Sequence, residues 1–102
     1  MSFGNLAKMA QQMQAEMARV EGELGSMTLE GTAGGGAVKA VVTGHLELVS
    51  LTIDPEVVDP ADVEMLQDLV VAAVSEALHA AQATAKRKMD AVTGGLRLPG
   101  MG

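Results

Sequence analysis

From Phe3 to Leu24 the apolar side chains fall at Phe3, Leu6, Ala10, Met13, Met17, Val20 and Leu24, in an unbroken alternation of three- and four-residue steps. That spacing puts all seven on one narrow strip of an α-helix, the repeat of a coiled-coil seam. Lys8, Gln11, Gln12, Gln14, Glu16, Arg19, Glu21 and Glu23 fill the other faces, and Gly25 follows as a helix stop. A helix of about six turns with one adhesive edge needs something to cover that edge. The cover is either the chain's own later helix or a second chain.

Composition bears on that choice. Hydrophobic residues make up 48% of the 102, yet Phe3 is the only aromatic. Apolar volume comes from alanine, valine, leucine and eight methionines, which is thin filling for a core. A domain of this size buries only ~60–70% of its unfolded surface even when well packed. Part of the core is therefore expected from a partner subunit, with Leu6, Met13, Met17 and Val20 as the expected dimer contacts. The chain is too apolar for disorder. The absence of cysteine excludes disulfides, thiolate metal sites and a cysteine nucleophile. The longest apolar run, Leu69 to Val74, is six residues, against the ~20 of a spanning helix. The N-terminus lacks the pattern of a secretory signal. A cytoplasmic protein without a membrane partner is expected.

After Gly25 the period changes. Met27, Leu29 and Gly31 alternate with Thr28, Glu30 and Thr32; Ala33-Gly34-Gly35-Gly36 forms a turn; Val38, Ala40 and Val42 alternate again. Gly44-His45 reads as the next turn and Leu46 to Ile53 as a third strand. Leu46 and Leu48 lie on one phase of it, and Val49, Leu51 and Ile53 on the other. Such a shift requires either a bulge or a strand that is apolar on both faces. Three strands joined by short turns make an antiparallel meander.

Asp59-Pro60 resembles a helix start, a capping carboxylate followed by proline. The helix is expected to end near Val92, before Thr93-Gly94-Gly95. Its first half carries a stripe suited to a sheet. Eight alanines between Ala72 and Ala91 make the second half slender enough for another helix to approach. The expected fold is α+β, in the order α-β-β-β-α. It forms one domain over residues 1–95, with 96–102 as a mobile tail. Two long helices exceed what three strands can cover, so parts of them must project or meet a second subunit.

Chemistry is sparse. His45 and His79 have no ligand-spaced neighbours, and the serines lack a nucleophile elbow. Gly34-Gly35-Gly36 precedes a strand where a phosphate loop needs a helix. Asp54, Glu56, Asp59, Asp62 and Glu64 crowd the start of the second helix without calcium-loop spacing. No enzyme activity, metal, cofactor or small-molecule substrate is expected. Charge position is more informative. The net charge is −6, yet Lys86, Arg87, Lys88 and Arg97 stand against Asp90 alone in the last seventeen residues. These cations suit a helix C-terminus, at ~0.3–1 kcal/mol each. Equally, the first helix is expected to enter the sheet at its C-terminus and the second to leave it at its N-terminus, so the start of one and the end of the other lie far from the acidic sheet region. Lys8 and the terminal cations can then share projecting ends, where they would neutralise phosphates.

Gly4-Asn5-Leu6, Lys8 and Ala10-Gln11-Gln12-Met13-Gln14 resemble the opening of the YbaB/EbfC family of bacterial nucleoid-associated proteins. Gly36-Ala37-Val38-Lys39, Ile53-Asp54-Pro55, Glu64-Met65-Leu66-Gln67-Asp68-Leu69-Val70 and the ending Lys86, Lys88-Met89, Val92, Gly95-Leu96, Leu98-Pro99 extend the likeness over nearly the whole chain. The resemblance implies an intertwined, tweezer-like homodimer of cytoplasm and nucleoid that binds double-stranded DNA through its projecting helices. Here these carry Lys8, Lys86, Arg87, Lys88 and Arg97. Related sequences can carry paired arginines in the third strand, where this chain has Leu46-Glu47-Leu48, so the helix ends bear the expected contact. The competing expectation is an adaptor that uses its heptad seam on another protein.

Overall fold

The structure is a computed structural model, and it describes residues 3–94. The order is α1 (Phe3–Ser26), β1 (Thr28–Ala33), β2 (Val38–Thr43), β3 (Leu48–Ile53), a single 3-10 turn (Pro55–Val57) and α2 (Val63–Gly94). The expected tail, 96–102, lies outside the described residues, as does Arg97.

The strands pair in the order β1-β2-β3, antiparallel throughout. Register places Leu29, Gly31 and Ala33 opposite Val42, Ala40 and Val38, all on the face that α2 covers. The phase shift in the third strand is a bulge: Val41 opposes Ser50 while Val42 opposes Leu48, so Val49 is the extra residue. The bulge brings Leu48 back onto the face of Leu51 and Ile53. The strand begins at Leu48, two residues later than expected, because Leu46 adopts a left-handed φ of 66° inside the turn.

The core is built of small side chains. Val38, Ala40 and Val42 of β2 meet Ala73, Ala77 and Ala81 of α2, all without accessible surface. Among the described residues no fully buried side chain is larger than valine. Of the eight alanines, Ala73, Ala77 and Ala81 bring α2 onto the sheet, while Ala91 lies in the groove that faces α1. A Cβ on Gly31 would lie 2.2 Å from the Ala73 carbonyl oxygen and 2.3 Å from the Ala77 nitrogen. Helix and strand backbones thus touch, which recovers by contact what the side chains lack in volume.

Helix α2 also starts later than expected. Asp59 caps a turn instead, its Oδ1 accepting from the Ala61 N–H at 2.9 Å. Asp62 caps the helix, accepting from the Met65 N–H at 3.2 Å. The proline therefore serves the turn before the helix rather than its first residue.

Helix α2 lies chiefly over β1 and β2; of β3, Ile53 packs against the core while Leu48 and Val49 stay exposed. Leu69 sits by the β1–β2 turn at Gly34, so the helix runs from that end of the sheet towards the other and then past it. There it meets α1, whose Leu24 carbonyl accepts from the Gly44 N–H at 2.9 Å. The two helices form an arm that leaves the sheet, within a molecule measuring 70 × 27 × 16 Å.

Candidate nucleic-acid interface

The arm is an antiparallel pair, with Lys88 of α2 beside Glu23 of α1 and Val92 across a groove from Glu16. Its seam is short. Val20 and Leu24 are buried within the chain itself, at 2% and 3% exposure. Met13 is half-buried, while Leu6 and Met17 are exposed. Of the four expected dimer contacts, Val20 is thus already covered by the protomer. The stripe towards Phe3 lacks a cover among the described residues.

Lys86, Arg87 and Lys88 sit on successive faces of α2 in this arm. The Lys86 ammonium donates to Asp90 at 3.0 Å, one turn on. Arg87 donates to the Thr84 hydroxyl at 3.1 Å and has no carboxylate partner among the described residues. Lys88 reaches Glu23 Oε2 at 3.1 Å across the groove. Lys8 lies on exposed α1 without an ion-pair partner among the described residues. It stands fifteen residues before Glu23, about 22 Å along the helix at ~1.5 Å per residue. The structure therefore gathers Lys86 to Lys88 and sets Lys8 apart on the same arm.

One network was not legible in the sequence. Glu23 accepts from Arg19 as well as Lys88, and Arg19 also donates to Glu16 at 2.6 Å. The Glu16, Arg19, Glu23 spacing is visible as neighbouring helical turns. Its link to Lys88, 65 residues away, carries no local signal. The hydrogen bond from Lys88 holds the Glu23 carboxyl below the usual glutamate value, against a smaller opposing effect of partial desolvation; the charges of Lys88 and Arg19 add to the lowering. Arg19 is raised in turn, first by its hydrogen bond to Glu16 and then by the charges of Glu16 and Glu23.

Elsewhere the surface is acidic. Residues 25–83 hold Lys39 against nine carboxylates, and Lys39 itself lies 3.8 Å from Glu30. His45 lies 3.2 Å from Glu21, joining the β2–β3 turn to α1. Among the described residues no group of three or more His, Asp or Glu is placed to hold a metal ion. No helix among them is long and apolar enough to cross a membrane.

An acidic body with five of the six cations among the described residues on a two-helix arm defines a class of small α+β protein whose positive charge is gathered on that arm. Comparison with known proteins makes the class specific. Residues 1–96 match the YbaB/EbfC DNA-binding family, and the chain belongs to that family. It is 54% identical over 103 residues to a nucleoid-associated protein of Moorella thermoacetica, covering 98% of this chain and 99% of that one. It is 52% identical over 104 residues to a nucleoid-associated protein of Pelotomaculum thermopropionicum, covering 99% of each. The crystal structure of the uncharacterized protein HP0035 from Helicobacter pylori is similar with a TM-score of 0.76 at 25% identity, over 95% of this chain and 99% of that one. Family and relatives describe a DNA-associated protein, not an enzyme.

Proposed function

We propose that this chain is a homodimeric, nucleoid-associated protein of the cytoplasm that binds duplex DNA with little sequence preference, coating, bridging or compacting it. The observation that carries the reading is the distribution of charge: Lys8, Lys86, Arg87 and Lys88 ride on the projecting helices, while nine of the thirteen carboxylates lie between residues 25 and 83, on the sheet, its connections and the first half of α2. Cations held away from an acidic body gain from phosphate contact without bringing that body against the duplex. Phe3 is the only aromatic ring, so stacking on unpaired bases has little support. Two apolar surfaces support the dimer. On α1, Leu6 and Met17 are 48% and 39% exposed; on β3, Leu48, Val49 and Leu51 are 54%, 58% and 37% exposed. Exposed apolar side chains grouped on two elements of so small a chain suit a second copy.

The exposed α1 stripe also favours the second reading, an adaptor for another protein. A salt titration of duplex binding separates the two. A DNA binder loses affinity steeply with salt, with a log–log slope of about −0.9 per phosphate contact, and an adaptor shows little duplex binding at any salt.

A further inference from the structure

Three of the arm's five cations among the described residues are held by carboxylates: Arg19, Lys86 and Lys88. Glu23 differs from the other acids in dividing its two oxygens between cations of different helices. Oε1 accepts from Arg19 on its own helix, and Oε2 accepts from Lys88 on α2 at 3.1 Å. A pair within one helix turn, such as Lys86 with Asp90, is exposed on both sides and holds little. Lys88 and Glu23 are each only about one-third exposed, and theirs is the one ion pair joining α1 to α2 among the described residues. The carboxylate thus engages a lysine and an arginine, the donors that phosphate oxygens also engage.

We propose that Glu23 is an internal competitor for DNA phosphate, holding Lys88 in the α1–α2 groove so that a phosphate gains this lysine only by displacing a carboxylate of the same chain. The inference rests on the arm being the DNA-binding surface. Arg87 and Lys8, which have no carboxylate partner among the described residues, then make the first contacts. Lys88 adds its contact by exchanging one anion for another. Affinity is thereby held below what the arm's cations would give. Each exchange also releases the ion pair that ties the two helices together. Arg19 keeps Glu16 when Glu23 is neutralised, so the gain runs through Lys88.

The test is duplex binding by the full-length chain, followed by fluorescence anisotropy on a 30-base-pair DNA between 50 and 200 mM salt. Four variants are compared with the parent: Glu23→Gln, Glu21→Gln, Lys88→Gln and the double variant E23Q/K88Q. Glu21 lies two residues from Glu23 on another face of α1 and pairs with His45 instead, so it controls for the loss of one negative charge. One added phosphate contact, with a slope of ~0.9, tightens binding about fifteenfold at 50 mM salt and about fourfold at 200 mM. That is the result expected of E23Q, with E21Q changing affinity less than about twofold. In the double variant the gain disappears, because the lysine that makes the new contact is gone. Parent binding with equal shifts in E23Q and E21Q, or a gain that survives K88Q, overturns the competitor role and leaves the DNA reading standing. No binding by the parent or E23Q at the lowest salt overturns both.

Discussion

Replacing Gly31 with alanine tests how the core is built, because two rules of thumb disagree about it. In a strand interior glycine weakens pairing, so alanine is favoured on propensity alone. Packing predicts the reverse. The new methyl carbon would sit 2.2 Å from the Ala73 oxygen, 2.3 Å from the Ala77 nitrogen and 3.0 Å from the Ala77 Cα, against a floor of about 3.0 Å for real contacts. Both obstacles are backbone, so no rotamer change relieves them. Helix α2 must lift by about 1 Å, and a gap of that size forfeits a quarter to a half of the dispersion energy of the atoms it separates. Those atoms include Ala73 and Ala77 against Ala40 and Val42, all at 0% exposure. Overpacking of this kind costs ~1–3 kcal/mol, and a backbone clash belongs at the upper end. About 3 kcal/mol lowers Tm by roughly 12–24 °C in a domain this small. Gly22 gives the counter-case. It sits inside exposed α1 with nothing within 4 Å of an added Cβ. Gly22→Ala therefore stabilises by ~0.5–1 kcal/mol and raises Tm by a few degrees. Thermal melts by circular dichroism at one fixed protein concentration check both, since the proposed dimerisation would make Tm depend on concentration. A Gly31→Ala protein melting within about 3 °C of the parent would refute the close-approach argument.

Reversing Lys86, Arg87 and Lys88 to glutamate is expected to abolish most duplex binding in a gel shift, while Lys39→Glu on the sheet changes it little; the triple variant brings a new carboxylate against Glu23 across the groove, so its melt is measured alongside. Leu48→Lys places a charge on the part of β3 that α2 leaves uncovered, where the side chain is 54% exposed in the protomer, and is expected to shift light-scattering mass from dimer to monomer without loss of helix signal. An unchanged dimer would move the interface to the α1 stripe, tested next with Met17→Lys. The Glu23 carboxyl is depressed by Lys88, so its contribution to stability is full above the ordinary glutamate value of 4.5 and is lost as pH falls below it towards the lower folded value. Between pH 5 and 3 the parent should therefore lose more stability than Glu23→Gln in parallel denaturation series, and equal losses would show that the interhelix pair contributes nothing.

Hydrophobic period carried most of the architecture. The seven-residue stripe of α1, the alternation in β1 and β2 and the long apolar face of α2 each name an element from local side chains alone. Punctuation was less reliable where two signals compete. Asp59-Pro60 and Asp62-Val63 both resemble a helix start, and the choice depends on where Leu66 and Leu69 meet the core. The phase shift at Val49 left a bulge and a strand apolar on both faces equally open, and only the pairing with β2 shows the bulge that turns Leu48 towards the side of α2. The alanines were ambiguous because a slender helix suits a helix or a glycine strand equally, and only Gly31 opposite Ala73 and Ala77 decides it. For the interface, the terminal cations were visible as a charge imbalance. Their partners were not: an ion pair 65 residues long has no period, and Glu23 looked like one more solvated acid.

The contact of Gly31 with Ala73 and Ala77 also acts as a fulcrum. The two alanines are four residues apart, about 6 Å along the helix, while Ala77 to Gly94 spans about 26 Å at ~1.5 Å per residue. A rocking of about 0.5 Å between the two contact points would therefore swing the far end of α2 by about 2 Å, by simple proportion of those lengths. Larger side chains at the pivot would leave room for such rocking, since their rotamers yield; backbone against backbone does not. The smallest residues in the chain thus govern the aim of its longest lever, and in the proposed dimer the distance between the two arm tips.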